Sequence, residues 1–489
     1  MKNGFAPINR IPPEVLALIP DYWDGEYWDG DVIALTHVSQ AWRSIITSRS
    51  SLWTEFDCVD ADKTRVYLER SKSSPIKLEL WRTEDQHLPP HDPLLQIVPR
   101  ATDRLKSLCI NAAPGNLPDI TAHLSSPAPL LESLMIGGGC EFEPGRNPVL
   151  TTALFNGNLS SLHTLHLQCV RTELPWRNMG NLTSFALRHA QPGEISISHL
   201  LDFFESAPRL QDIRLQFATP TSGGQDGRLV SLACLEWMDI SGDEPSSLLL
   251  NHLVIPVGTK LTTKAAFRGL LIEDHLPKSL DNLKNLSNFT KIHIRTDGLR
   301  SLMEFTGPNG EVSVEPVAPH VDLSRLVLEF LAGFETSKTE ELEILRSNPP
   351  ASWIPHRALL PMKNLRTLTL SRCTNPHVFV HALNPELFPS DVVVCPQLKE
   401  LTFVLSTYGV KFDIGNVIGM AAARELRGAK LARVRILDRN DRELDPEGVL
   451  ELERYVSHVE CGPGIGVVND DGDSSDEDSI YSGGGPVLW

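Results

Sequence analysis

The chain has 489 residues, 41% of them hydrophobic and 22% charged, which suffices for several domains or one long repeat array and is too apolar for wholesale disorder. Its 62 acidic against 45 basic side chains leave a formal charge of −17, which repels phosphate and argues against a sequence-independent nucleic-acid binder. No window of about 18 apolar residues offers a membrane span and no leading stretch reads as a secretory signal. The expected location is cytoplasmic, nuclear or both.

Residues 1–56 read as a small, aromatic-rich helical module. Its first helix is expected over Pro12-Pro13-Glu14-Val15-Leu16-Ala17-Leu18-Ile19, with prolines at a tolerated helix start and an early Glu favoured by the helix dipole. A second is expected from Asp31 as N-cap through Val32, Leu35, Val38, Trp42 and Ile45, apolar residues stepping by three and four. Between them stands a doubled acidic-aromatic pentapeptide, Asp21 to Gly30, read as a surface insertion or, alternatively, as exposed rings for a partner. Leu52-Trp53 closes the module after a polar turn. About 45 residues rarely bury enough apolar surface to stand alone, so a partner is expected. Val38 and Trp42 are assigned to the module's own core; Pro12, Leu16 and Trp53 are assigned to contact. Residues 57–75 form a connecting helix, Asp62 to Arg70, with a polar exit through Ser71 to Pro75.

From 76 to 461 one pattern returns: L-x-x-L-x-L with polar residues in the gaps. It stands at Leu105/Leu108/Ile110, Leu131/Leu134/Ile136, Leu162/Leu165/Leu167, Leu182/Phe185/Leu187, Leu210/Ile213/Leu215 and Leu235/Met238/Ile240. Further copies are Phe267/Leu270/Ile272, Phe289/Ile292/Ile294, Leu323/Leu326/Leu328, Leu365/Leu368/Leu370, Leu398/Leu401/Phe403 and Leu431/Val434/Ile436, at intervals of 20 to 42 residues. Prolines stand two positions ahead of Leu131, Leu210 and Leu398. The cleanest unit runs from Ile197 to Leu215: apolar residues step by three and four, Pro208 ends the helix, and a period-2 strand follows. Pro361 to Cys373 is a second. One strand and one helix cannot bury an apolar face alone, so such units must stack. The expected fold class is α/β: a helical module followed by an irregular leucine-rich-repeat solenoid, parallel sheet on its concave side and helices on its convex side. Polar strand positions, such as His163, Thr164 and His166 or Lys363, Arg366 and Thr367, would line the concave surface.

Residues 462–489 read as a disordered acidic tail rich in Gly, Ser and Asp. Ser474 and Ser475 each have an acidic residue three positions on, which acidophilic kinases favour, so they are candidate phosphorylation sites. Gly462, Gly464 and Gly466 open onto acidic residues rather than a helix, so no nucleotide loop is expected. Asp471-Gly-Asp473 lacks the later ligands of a calcium loop. The eight cysteines are scattered, with no C-x-x-C pair, and are expected as buried reduced thiols. No motif argues for catalysis, a cofactor or a metal, and the expectation is a non-enzyme.

Ile11-Pro12-Pro13-Glu14-Val15-Leu16 with Ile19, then Leu35, Val38-Ser39 and Trp42-Arg43, then Leu52-Trp53, resembles the F-box motif in the order and spacing of its anchors. Coupled to leucine-rich repeats, the chain resembles the F-box/leucine-rich-repeat proteins, and the segment after Asp62 is similar to ones abundant in mushroom-type fungi. The resemblance implies that the module docks on a Skp-type adaptor, and through it on a cullin–RING ubiquitin ligase, while the repeats hold a protein substrate. Carried over residue by residue, it implies adaptor contact at Ile11, Pro12, Pro13, Val15, Leu16, Ile19, Leu35, Val38, Leu52 and Trp53. The insertion at 21–30 departs from the short turn of that family. The alternative is a repeat scaffold whose F-box-like segment only caps the array's first apolar layer.

Overall fold

The computed structural model of the protein describes residues 11–16, 18–19, 28–58, 60–82, 95, 98–138, 148–150, 154–172, 179–190, 195–218, 220, 227–242, 244–265, 274–277, 282–284, 289–297, 300–308, 310–315, 331, 336–347, 355–388, 392–405, 412–438 and 444–463. Residues 464–489 of the tail with its two serines, the triplets at Phe267 and Leu323, and residues 21–27 of the insertion lie outside this set, whereas 462 and 463, expected in the tail, end the last strand. Two compact units divide the chain: Met1–Phe289 with Gly298–Val321, and Thr290–Asp297 with Asp322–Trp489. The division falls inside the repeat region.

The first unit opens with α1 (Pro13–Leu16), α2 (Trp28–Thr36) and α3 (Gln40–Ser48). The single helix expected from Asp31 to Ile45 is two. The first starts at Trp28, ahead of Asp31. The second is capped by Ser39, whose hydroxyl accepts the Trp42 N–H. A Ser cap in extended conformation sets the chain into a new direction, and that breaks the stripe: Ile46, not Ile45, is its buried member. Then come β1 (Glu55–Asp57) and α4 (Ala61–Arg70), the latter capped by Asp60, which accepts from two amides of the first turn.

The strands that follow are β2 (Ile76–Arg82), β3 (Leu105–Ala112), β4 (Ser133–Gly138), β5 (Val149–Leu150), β6 (Thr164–Gln168), β7 (Arg171–Thr172) and β8 (Ser184–Arg188). After them come β9 (Asp212–Gln216), β10 (Val230–Ser231), β11 (Trp237–Gly242), β12 (Leu253–Val254) and β13 (Lys260–Ala265). β14 (Lys291–Asp297) belongs to the second unit, and β15 (Arg300–Gly307) and β16 (Gly310–Glu315) to the first. Strand neighbours in the first unit run β1, β2, β3, β4, β6, β8, β9, β11, β13, β16, all parallel. The sheet closes on an antiparallel hairpin of β15 with β16. β5 with β7 and β10 with β12 form short parallel pairs apart from it.

Register is uniform apart from one shift between Ile76 and Lys77, where β2 meets β3. Phe56, Leu78, Leu108, Leu134, Leu165, Phe185, Ile213, Met238, Leu261 and Val312 stand opposite one another in a single ladder, and all are buried. Because strand side chains alternate, a slip of one residue would turn a whole strand inside out, so this ladder fixes the pairing. The helix Ile197–Ser206 carries the Ser196 cap and buries Leu200, Leu201, Phe203 and Phe204; Pro208 follows it, then β9, as that unit's spacing predicts.

The second unit repeats the design with β14, β17 (Glu341–Leu345), β18 (Thr367–Ser371), β19 (Glu400–Leu405), β20 (Arg433–Asp438) and β21 (His458–Pro463), all parallel. Ile292, Leu342, Leu368, Leu401, Val434 and Val459 share one register line. The terminal strand follows the helix Pro446–Leu452 after a short exit turn that holds Tyr455.

One turn recurs. Cys169, His189, Phe217, Arg346 and Arg372, each the residue after a strand, adopt φ near +50°, a left-handed conformation unusual for side chains with a Cβ. Each sends its N–H to a carbonyl of the neighbouring strand or its exit, prolonging the ladder by one bond.

Candidate interaction surfaces

The N-terminal module divides its predicted contact residues into two sets. Pro12 and Pro13 are exposed, as are Val15 (49%) and Val38 (46%), while Ile11 and Ile19 are half-buried. Leu16, Leu35, Leu52 and Trp53 are buried. Trp53 lies in the module's own core: its indole N–H donates to the Ile46 carbonyl at 2.9 Å, Tyr67 meets its ring edge-on at 4.9 Å, and the Arg70 guanidinium covers a face at 4.3 Å. Trp42 is buried, as expected, but Val38 is not core: the turn between α2 and α3 presents it to solvent. Leu18, exposed and unremarked in the sequence, joins the apolar set.

The sheet of the first unit has one apolar face and one polar face. Three register lines cross the polar face. The middle one runs Glu79, Cys109, Met135, His166, Ala186, Arg214, Asp239, Thr262. On the N-terminal side of the strands lies Lys77, Ser107, Ser133, Thr164, Ser184, Asp212, Trp237, Lys260, and on the C-terminal side Trp81, Asn111, Gly137, Gln168, Arg188, Gln216, Ser241, Lys264. Thr164 and His166 stand on this face as expected, with His163 exposed just ahead of β6. In the second unit Lys363 and Arg366 are exposed ahead of β18, which Thr367 begins.

Charge on the face is paired internally. Lys77 meets Glu55 at 2.9 Å, Lys260 meets Glu311 at 3.1 Å and Lys264 meets Glu315 at 2.8 Å. Arg214 holds Asp212 through two nitrogens, at 3.1 and 3.3 Å, and stacks on Trp237 at 4.4 Å. Asp239 accepts from Gln216 at 3.2 Å; its other oxygen is buried without a hydrogen-bond partner among the described residues. Burial raises its pKa, against the pull of the Gln216 hydrogen bond and of Lys264 and Arg214. Burial and the nearby Arg214 and Arg188 lower that of His166, so its ring is neutral at pH 7.

His166, Ser184 and Asp212 form a chain of polar contacts in the wrong order for a nucleophile. The Ser184 hydroxyl bridges His166 Nε2 at 3.4 Å and Asp212 Oδ2 at 3.3 Å, whereas a base must stand between the hydroxyl and the carboxylate. The thiol of Cys109, on the same face, is pushed up to about 12 by burial and Glu79, so it is a poor nucleophile. Among the described residues no group of three or more His, Cys, Asp or Glu side chains gathers as a metal site, and no helix is long and apolar enough to cross a membrane. An apolar gap behind β2 and β3, lined by Leu80, Leu95, Val98, Leu108, Ile110 and Ile120, has about 10 Å³ of free space, no more than one water requires.

The expectation of buried reduced thiols needs two corrections: Cys234 and Cys461 are exposed and Cys109 is half-buried, and Cys169 is not a free thiol. Cys58, Cys109, Cys234, Cys373, Cys395 and Cys461 are free, but Cys169 is disulfide-bonded. Trp81 and Trp237 were also missed; the signal was present, since both occupy outward parity positions beside buried leucine-type residues. Comparison with known protein families and with curated proteins finds no match for the chain.

Proposed function

We propose that the chain is a non-enzymatic receptor: leucine-rich repeats hold a protein partner on a polar sheet face, and an F-box-like module docks on a Skp-type adaptor and, through it, on a cullin–RING ubiquitin ligase. Such a receptor does no chemistry. It raises the effective concentration of substrate beside the ligase.

One observation carries the reading. An N-terminal helical module with Pro12, Val15, Leu18 and Val38 in solvent precedes a parallel sheet of constant register with one face left polar. The exposed apolar set favours a partner at the module, and the stacked strands favour a repeat array.

Burial of Leu16 and Trp53 favours a second reading, in which the module caps the array and has no ubiquitin role. Co-purification with a Skp-type adaptor separates the two. Val15→Asp with Val38→Asp is the informative variant, since both side chains are exposed and the fold should survive. A complex with the wild type that is lost in this folded variant supports the receptor; no complex with folded wild type leaves the cap.

A further inference from the structure

We propose that the polar face over β3, β4, β6 and β8 is a docking strip for a partner segment free of charged side chains. The inference deepens the receptor reading and rests on it.

Its middle line over those four strands is Cys109, Met135, His166 and Ala186: a thiol, a thioether, an imidazole and a methyl. The line on the N-terminal side contributes only hydroxyls there. Thiol and imidazole are both uncharged at neutral pH. The flanking charges are already engaged: before the strip Lys77 meets Glu55 and Glu79 accepts the Trp81 indole N–H at 3.1 Å, and after it Arg214 meets Asp212; Arg188, at its C-terminal edge, feels both Asp212 and Asp239. A charged partner side chain laid on the strip would lose water and find the neighbouring charges already engaged, which is a net cost. An uncharged one buries the half-exposed Met135 thioether and finds hydroxyls for its polar atoms.

Two tryptophans bound the region. Trp81 on β2 and Trp237 on β11 are each 37% exposed, and such aromatics anchor protein interfaces. From β2 to β11 the sheet takes six steps through β3, β4, β6, β8 and β9. At ~4.8 Å each this spans ~29 Å, the reach of about nine extended residues.

The test is selection from a phage-displayed random library of peptides about 12 residues long, enough to cross that span, on the full chain. The expected result is peptides depleted in Asp, Glu, Lys and Arg relative to the library, with binding weakened about tenfold or more by Met135→Lys and unchanged by Met135→Leu. Peptides rich in charge, binding indifferent to Met135→Lys, or no enrichment would each overturn the strip. Adaptor co-purification of the wild-type chain reads the receptor separately: a complex formed while the selection fails overturns the strip alone.

Discussion

The guanidinium of Arg424 donates to the main-chain carbonyl of Cys395 at 2.8 Å from a side chain with no exposed surface. A second bond, to the Val394 carbonyl, has the same length. Arg424 projects from the helix Ile414–Leu426 into the turn that leads to β19, where Cys395 holds φ at 48°. Burial lowers the Arg424 pKa to about 10, so the charge persists at neutral pH. Replacing it with Met takes the partner from the buried Val394 carbonyl and leaves the Cys395 carbonyl with only the Leu398 N–H, and the expected loss is ~1–3 kcal/mol. Native-state hydrogen exchange of the β19 amides reads it, and a loss under ~0.5 kcal/mol would contradict the role.

Trp53 supplies both packing and one hydrogen bond to its module. Trp53→Phe keeps most of the ring and loses the bond to the Ile46 carbonyl, for an expected ~1 kcal/mol. Trp53→Ala also opens a cavity beside Tyr67, for ~3–5 kcal/mol. Exchange protection of the α3 amides should rank wild type, Phe and Ala in that order.

His275 is buried, and its Nε2 meets no hydrogen-bond partner among the described residues. Burial pushes its pKa down to about 4, although Asp274 pulls the other way. The folded state therefore holds the ring neutral, while the unfolded chain takes up a proton near pH 6.5. Stability tied to this group is fully present above pH 6.5 and is lost as pH falls from there towards about 4. Between pH 7 and pH 5 the loss is ~2 kcal/mol. His275→Phe should remove that slope from denaturant midpoints measured at the two values; an unchanged slope would refute the assignment.

Gly138, at the end of β4, lies against the Cys169 carbonyl. A Cβ there would stand 2.8 Å from that oxygen, and main chain cannot swing aside as a flexible side chain can. Gly138→Ala should cost ~1–3 kcal/mol, the range of an overpacked site. Gly115→Ala, where a Cβ meets nothing within 4 Å, is the control. Comparable melting temperatures for the two variants would sink the argument.

Most strands were legible because a parallel strand buried on one face writes an alternation of aliphatic residues. Strands that lack the full triplet lack it for physical reasons. β17 buries Leu342 and Ile344, but the position three before Leu342 is filled by Thr339, whose methyl packs as an aliphatic does and whose hydroxyl hides it from a search for leucine. β13 likewise places Thr263 beside Leu261. The antiparallel hairpin of β15 and β16 has no helix to announce it. Candidate contact residues were less legible than strands. Trp53 follows a polar turn and reads as exposed, yet its partners Ile46 and Tyr67 lie seven and fourteen positions away on other elements. A cap residue, Ser39, turns Val38 outward, and no periodicity reports that.

The chain gives Thr290–Asp297 to the second unit and then returns to the first. Neither unit is therefore a single stretch of polypeptide, and no one cut liberates either. Expression stopped after Phe289 removes the hairpin that closes the first sheet; stopped after Val321, it leaves β14 without β17. A fragment intended to isolate the first unit should carry a designed linker in place of Thr290–Asp297, or it will lose the β15–β16 hairpin and present an unpaired strand.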